Sequence, residues 1–163
     1  MTFDSNFGRN ATSTREVNYG TSIGEFPYFH NVGHELTGWF TERNGGYQAY
    51  EWTTVCRNAT YYARWKPKTY KIFLDARGGN LSIPYIEVKY GESIGQLPTP
   101  SKKGNSFLGW VDQNGNNVVS GLAYAIEGNT KYRANWRETA HTATFDANGG
   151  SFGEGSIITV SFR

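Results

Sequence analysis

The residues able to do chemistry are few and poorly grouped. His30 and His34 stand four residues apart, a spacing that would put two imidazoles on one face of a helix. Asn31-Val32-Gly33 between them carries no helical pattern, so both are expected on a loop and not around a metal ion. The single cysteine, Cys56, excludes an internal disulfide framework and a thiolate zinc cluster. It has no His or Asp partner by spacing, and an unpaired, half-buried thiol is expected rather than a nucleophile. The segment Asp75-Ala76-Arg77-Gly78-Gly79 offers one carboxylate where a calcium loop offers several at alternate positions. No catalytic set, metal site or cofactor is therefore expected, and the chain is read as a non-enzyme. What remains is a supply of aromatic rings, whose chemistry is packing and stacking.

Those rings need positioning elements, and composition says which kind. Aromatics make up 16% of the 163 residues and charged residues only 18%, with 20 glycines. Gly, Thr, Tyr, Val and Ile favour strands and turns over helices. Sixteen basic against 14 acidic residues leave a net charge of +2, and the longest basic run is Lys102-Lys103. That is no footprint for a nucleic-acid binder. No apolar stretch approaches the ~18 residues of a membrane-spanning helix, so no insertion of this segment is expected. Met1-Thr2-Phe3-Asp4 runs straight into folded-looking chain, and no leader sequence is read there.

The chain repeats itself. A shift of 71 positions superposes 17 identities without a gap, among them Asp4 on Asp75, Tyr19-Gly20 on Tyr90-Gly91, Gly38-Trp39 on Gly109-Trp110, and Tyr61, Ala63 and Trp65 on Tyr132, Ala134 and Trp136. A second shift carries Phe3-Asp4 to Phe145-Asp146, inside a third copy. Module 1 is read at 1–67, module 2 at 68–138, and a partial third repeat of two strands at 139–163. Linkers of a few residues predict neighbours held close in a semi-rigid file.

Within a module, Tyr70–Asp75 reads as a strand ending in a Gly-rich hairpin turn, and Pro84–Tyr90 alternates as a half-buried strand does. Glu92–Pro100 has an internal glycine and two prolines, leaving room for one helical turn or an irregular crossover. Asn105–Val111 and Thr130–Arg137 complete four strands. The turns are assigned to Asp4, Asp75, Gly78, Gly79, Asp146, Gly149 and Gly150, the Gly-Gly pair supplying positive φ. Tyr19, Trp39, Tyr61 and Trp65, with Tyr90, Trp110, Tyr132 and Trp136 opposite them, are read as the repeated core. A requirement of the fold recurs in both copies; a ligand surface need not. Tyr28, Phe29, Phe40, Tyr47, Tyr50 and Trp52 face Thr99, Pro100, Val111, Val118, Gly121 and Ala123, so they are the candidate ligand or partner surface, with local packing as the alternative.

Taken as a set, Leu74–Gly79, Tyr90-Gly91, Leu97–Pro100, Gly104, Phe107, Gly109-Trp110 and Tyr132–Trp136 resemble the Listeria–Bacteroides repeat, the B-repeat of internalin-type bacterial surface proteins. The first copy departs at Phe7, at Tyr28-Phe29-His30 and at Leu36. The resemblance implies an α+β, strongly β-rich fold of tandem β-grasp (ubiquitin-like) modules, placed outside the cell on secreted or wall-attached proteins. It implies spacing, adhesion and a part in virulence, not catalysis. The Asn-x-Thr patterns at Asn10 and Asn58 would be incidental in a bacterial chain. Partners under this reading are a surface protein or glycan of a host or neighbouring cell. Two alternatives stand beside the stalk: a carbohydrate- or protein-binding module using the unshared aromatics, and self-association through strands of the partial third repeat.

Overall fold

The computed structural model describes residues 1–8, 11–151, 153 and 157–162. Asn10 of the first Asn-x-Thr pattern lies outside them. Among the described residues every regular element is a strand and none is a helix. They are β1 (Thr2–Asp4), β2 (Thr12–Thr14), β3 (His34–Phe40), β4 (Gln48–Ala49), β5 (Thr60–Pro67), β6 (Thr69–Asp75), β7 (Tyr85–Lys89), β8 (Asn105–Val111), β9 (Thr130–Glu138), β10 (His141–Asp146) and β11 (Ile157–Phe162). They form sheets ordered β2-β1-β5-β3-β4 and β7-β6-β9-β8 and a separate hairpin β10-β11.

Both larger sheets place the first strand of the repeat beside the last, running parallel. In one, Phe3 faces Tyr61 and Asp4 faces Tyr62; in the other, Leu74 faces Tyr132 and Asp75 faces Arg133. The strand carrying the Gly-Trp pair then adds antiparallel to the last strand, with a bulge between Leu36 and Gly38 in one sheet and between Phe107 and Gly109 in the other. At the bulge the two glycines take φ of +152° and +136°, which side chains rarely adopt. That is why a glycine precedes each buried tryptophan.

The α component of the expected fold is missing from the described residues. Around Ile23 the crossover's amides are committed elsewhere: Ile23 N–H donates to Thr53 and Gly24 N–H to Glu51. Ile94 N–H likewise donates to Leu122. With those donors taken, and a glycine and a proline close by, no i to i−4 ladder can start. Each crossover still buries its isoleucine, Ile23 or Ile94, against a sheet.

The chain divides into two compact units, one of Met1–Tyr70, Lys89–Glu92 and Ala123–Gly128, the other of Lys71–Val88, Ser93–Leu122 and Asn129–Arg163. The division cuts across the repeat boundaries read from the sequence. Inside the first unit Tyr90 N–H donates to Lys68 C=O, Tyr124 N–H donates to Glu92 C=O and its carbonyl accepts from Gly91 N–H, and Glu127 lies 3.6 Å from His30 and 3.7 Å from Lys68. Gly33, at φ +68°, packs so closely on the Tyr90 ring that a Cβ would fall 2.1 Å from it.

The first unit's core is Phe3, Ile23, Trp39, Ala49, Val55, Tyr61 and Ala63, with Phe26, Phe29, Leu36 and Trp65 packed partly against it. In the second unit Ile72, Leu74, Val88, Ile94, Leu97, Trp110, Tyr132 and Ala134 are buried. Trp65, Trp136 and Tyr90 are half-buried. Tyr19 breaks the expected pattern: it is 81% exposed, because it rides a turn closed by Thr21 N–H on Asn18 C=O. Its counterpart Tyr90 gains cover from Gly33 and from the His34 ring 5.6 Å away.

The half-buried tryptophans have a second task. Trp65 Nε1 donates to Ser5 C=O at 2.8 Å, and Trp136 Nε1 to Ala76 C=O at 2.9 Å. Each indole thus fastens the last strand to the turn that follows the first. In that turn an aspartate caps the amide two residues on: Asp4 that of Asn6, Asp75 that of Arg77, Asp146 that of Asn148. The positive-φ pair is Arg77-Gly78, and Asn148-Gly149 in the third hairpin, not Gly-Gly. Gly79 serves close approach instead; a Cβ there would meet Trp136 Cζ2 at 2.7 Å and Ser101 O at 2.9 Å. In β10, Phe145 is 50% exposed, against 1% for Phe3 and 7% for Leu74 at the matching places. Among the described residues β10 has a strand on one side only.

Burial pushes the phenols of Tyr61 and Tyr132 above their usual pKa; a nearby Arg57 opposes the shift at Tyr61, and Asp112 adds to it at Tyr132. A group whose pKa rises on folding stabilises the fold below its unfolded value and loses that contribution as pH climbs through the folded value. Stability is therefore expected to fall above about pH 10. The doubly substituted Tyr61→Phe, Tyr132→Phe chain should lose less than the parent over that range in urea titrations. Equal losses would remove these phenols as the cause.

Candidate functional site

The outer face of the first sheet carries what the sequence could only scatter. On β3, Gly38 and Phe40 project to the side opposite Trp39 (residues two apart share a face). β5 brings Arg64 alongside, since Arg64 pairs with Gly38 in register. The Arg64 guanidinium lies over the Phe40 ring, 3.7 Å from its centroid, and its Nη2 donates to Gly45 C=O, which holds it there. Gln48 on β4 lies over Gly38, its Nε2 2.7 Å from where a Cβ would stand and Phe40 Cε2 3.4 Å from the same point. Tyr50 O–H donates to Gln48 Oε1 at 3.3 Å. Tyr50 in turn stacks on Trp52, rings 4.9 Å apart and 5° from parallel. Thr53 Oγ1 accepts from Tyr50 N–H and so fixes the short loop that carries both rings.

The result is a continuous strip: guanidinium, benzene ring, amide, phenol, indole. Trp52 is 73% exposed and Gln48 and Tyr50 are exposed with it. Of the six expected surface aromatics, three join the strip, namely Phe40, Tyr50 and Trp52. Tyr47 is exposed on the adjoining turn, where Thr41 N–H donates to its carbonyl. Tyr28 is exposed on the crossover and makes no ring contact with the strip among the described residues. Phe29 is half-buried and packs against Trp39 at 5.7 Å, so it belongs with the core. Gln48 and Arg64 were not legible as site residues; cross-strand register alone brings them to the rings.

The other chemically able residues stay apart. His34 Nδ1 bonds Val32 C=O and its ring lies 5.3 Å from Phe7, while His30 faces Glu127. Among the described residues no three of His, Cys, Asp and Glu gather as they would around a metal ion. Cys56 is exposed rather than half-buried, its Sγ 3.9 Å from Thr54 C=O, because the loop carrying it turns away from Val55, which fills the core place.

Two copies of one parallel-centred sheet pattern, made of strands alone among the described residues, define a repeat protein. The Listeria-Bacteroides repeat domain matches residues 1–64 and again 70–135. The chain belongs to this repeat family of surface proteins. It is 30% identical over 154 residues to a protein of Evansella cellulosilytica named "Putative Gly-rich membrane protein", an alignment covering 93% of this chain and 18% of that one. It is 31% identical over 125 residues to another protein of that organism, named "Putative membrane protein", covering 73% of this chain and again 18% of the relative. The chain thus spans about a fifth of the length of these relatives. No solved structure matches it. Among the described residues no helix is long and apolar enough to cross a membrane, which says nothing of spanning strands.

Proposed function

We propose that the chain is a non-enzymatic segment of a bacterial cell-surface protein, in which β-grasp modules with a 71-residue period space a distal part from the cell and offer adhesive area. The observation that carries this reading is the recurrence of the same fixtures in successive copies. The capped turn at Asp4 and Asp75, the indole bond of Trp65 and Trp136, and the bulge before Trp39 and Trp110 all recur. Such repetition serves length and surface, since each copy rebuilds one small core. The much longer relatives described as membrane proteins support a place at the cell boundary.

Antibodies raised against the segment should label intact cells carrying the parent protein, and protease added outside should remove the label. Labelling only after permeabilisation would overturn the surface assignment.

A further inference from the structure

We propose that the strip on the first sheet is a glycan-binding site, taking pyranose rings on the Tyr50–Trp52 platform and their hydroxyls on Gln48 and Arg64. The proposal rests on the surface reading above and names the adhesive ligand. A pyranose presents two chemistries on one small ring: a flat array of C–H bonds and an equator of hydroxyls. The strip presents the complement of both. The indole, 73% exposed, stacks one face on the Tyr50 ring 4.9 Å away, and the outer face of this stacked pair is the apolar platform. Immediately beside them, the exposed Gln48 amide accepts the Tyr50 hydroxyl at Oε1, and its Nε2 lies over Gly38 on the outer face of the sheet. Farther along, Arg64 is flattened on Phe40 and tied to the Gly45 carbonyl, leaving guanidinium N–H groups at the surface.

Pre-organisation strengthens the argument. Tyr50 is held at its ring face by Trp52, at its hydroxyl by Gln48 and at its amide by Thr53. Exposed side chains fixed this way lose little rotamer freedom on binding. A protein partner would favour a well-packed, fully desolvated pocket for an anchor residue. The strip instead alternates planar rings with hydrogen-bonding groups along an open sheet face.

The second copy lacks the whole arrangement. Val111, Val119, Gly121, Ala123 and Asn135 stand where the first has Phe40, Gln48, Tyr50, Trp52 and Arg64. The scaffold dispenses with these side chains in one repeat, so the first carries them for something other than folding.

Calorimetric titration of the whole chain with chitohexaose, cellohexaose, xylohexaose and mannohexaose tests the proposal. At least one is expected to bind, and Trp52→Ala should weaken it about tenfold or more, the equivalent of losing one good stacking contact. Gln48→Ala should weaken it by a smaller factor, and both variants should melt at the parent's temperature because neither side chain is buried. Absence of heat with all four sugars, or equal affinity in Trp52→Ala, would overturn the glycan site. So would capture of a cell-surface protein that Trp52→Ala abolishes and no sugar competes. Each of these failures leaves labelling of intact cells untouched, whereas loss of that labelling would remove the surface reading itself.

Discussion

Trp39→Ala is expected to destabilise the first unit by about 3–5 kcal/mol, the range for deleting a fully buried aromatic. Trp39 is 2% exposed and sits among three phenylalanines: Phe3 edge-on at 5.4 Å, Phe26 stacked at 5.7 Å and Phe29 tilted at 5.7 Å. β3 fixes one wall of that cavity and β1 another, so the site cannot collapse around a methyl group without breaking the sheet. The loss should be evident as a lower urea midpoint in fluorescence and circular dichroism together. Trp52→Ala is the control, since removing an exposed ring from a sheet face should change stability by less than about 0.5 kcal/mol. A loss under 1 kcal/mol for Trp39→Ala would mean that the aromatic cluster is not what holds this unit together.

The second large effect is expected at Asp4. Its carboxylate is buried, accepts from Arg43 Nη2 at 2.6 Å and caps the Asn6 amide at 2.8 Å. Arg43 also reaches Asn6 Oδ1 at 3.3 Å and lies over Tyr62, 5.0 Å from the ring centroid. Hydrogen bonds to charged groups contribute about 1.5–3 kcal/mol each. Arg43 is itself 48% exposed, so screening trims its share and a total of about 2 kcal/mol is expected for Asp4→Ala. The repeat supplies the contrast. Asp75 caps Arg77 in the same way but is half-exposed, with Lys131 at 3.8 Å as its charged partner. Asp75→Ala should therefore cost less than about 1 kcal/mol. Urea melts of the two variants side by side test this; equal losses would mean that the buried ion pair adds nothing to the cap.

Strands and turns were legible because the residues that make them are local. Alternation in Tyr85–Lys89 and Thr130–Glu138 is a property of neighbours, and so is an aspartate that caps an amide two residues on. What depends on register was not legible. The indole bonds join residues 60 apart, and nothing in the letters near Trp65 points to Ser5. Tyr19 and Tyr90 carry the same side chain at matching places, yet one faces water and the other a glycine, because cover comes from elsewhere in the chain. The strip shows the same limit. Its aromatics could be picked out by their absence from the second copy, but Phe29 could not be told from Phe40 without knowing which way the crossover and β3 turn each ring. Gln48 and Arg64 resemble any polar surface residues until pairing brings them beside the rings.

The parallel contact between a repeat's opening and closing strands decides how it carries load. β1 and β5 run side by side in one direction, as do β6 and β9. Tension applied at the start of β1 and the end of β5 pulls the two along each other in opposite senses. Their inter-strand bonds then resist together, in shear, like a lap joint; a hairpin pulled from its open ends would unzip one bond at a time. The aspartate cap and the indole clamp sit at the turn leading out of the opening strand, where they stiffen the joint. Rupture of such a joint requires the whole seam to fail at once.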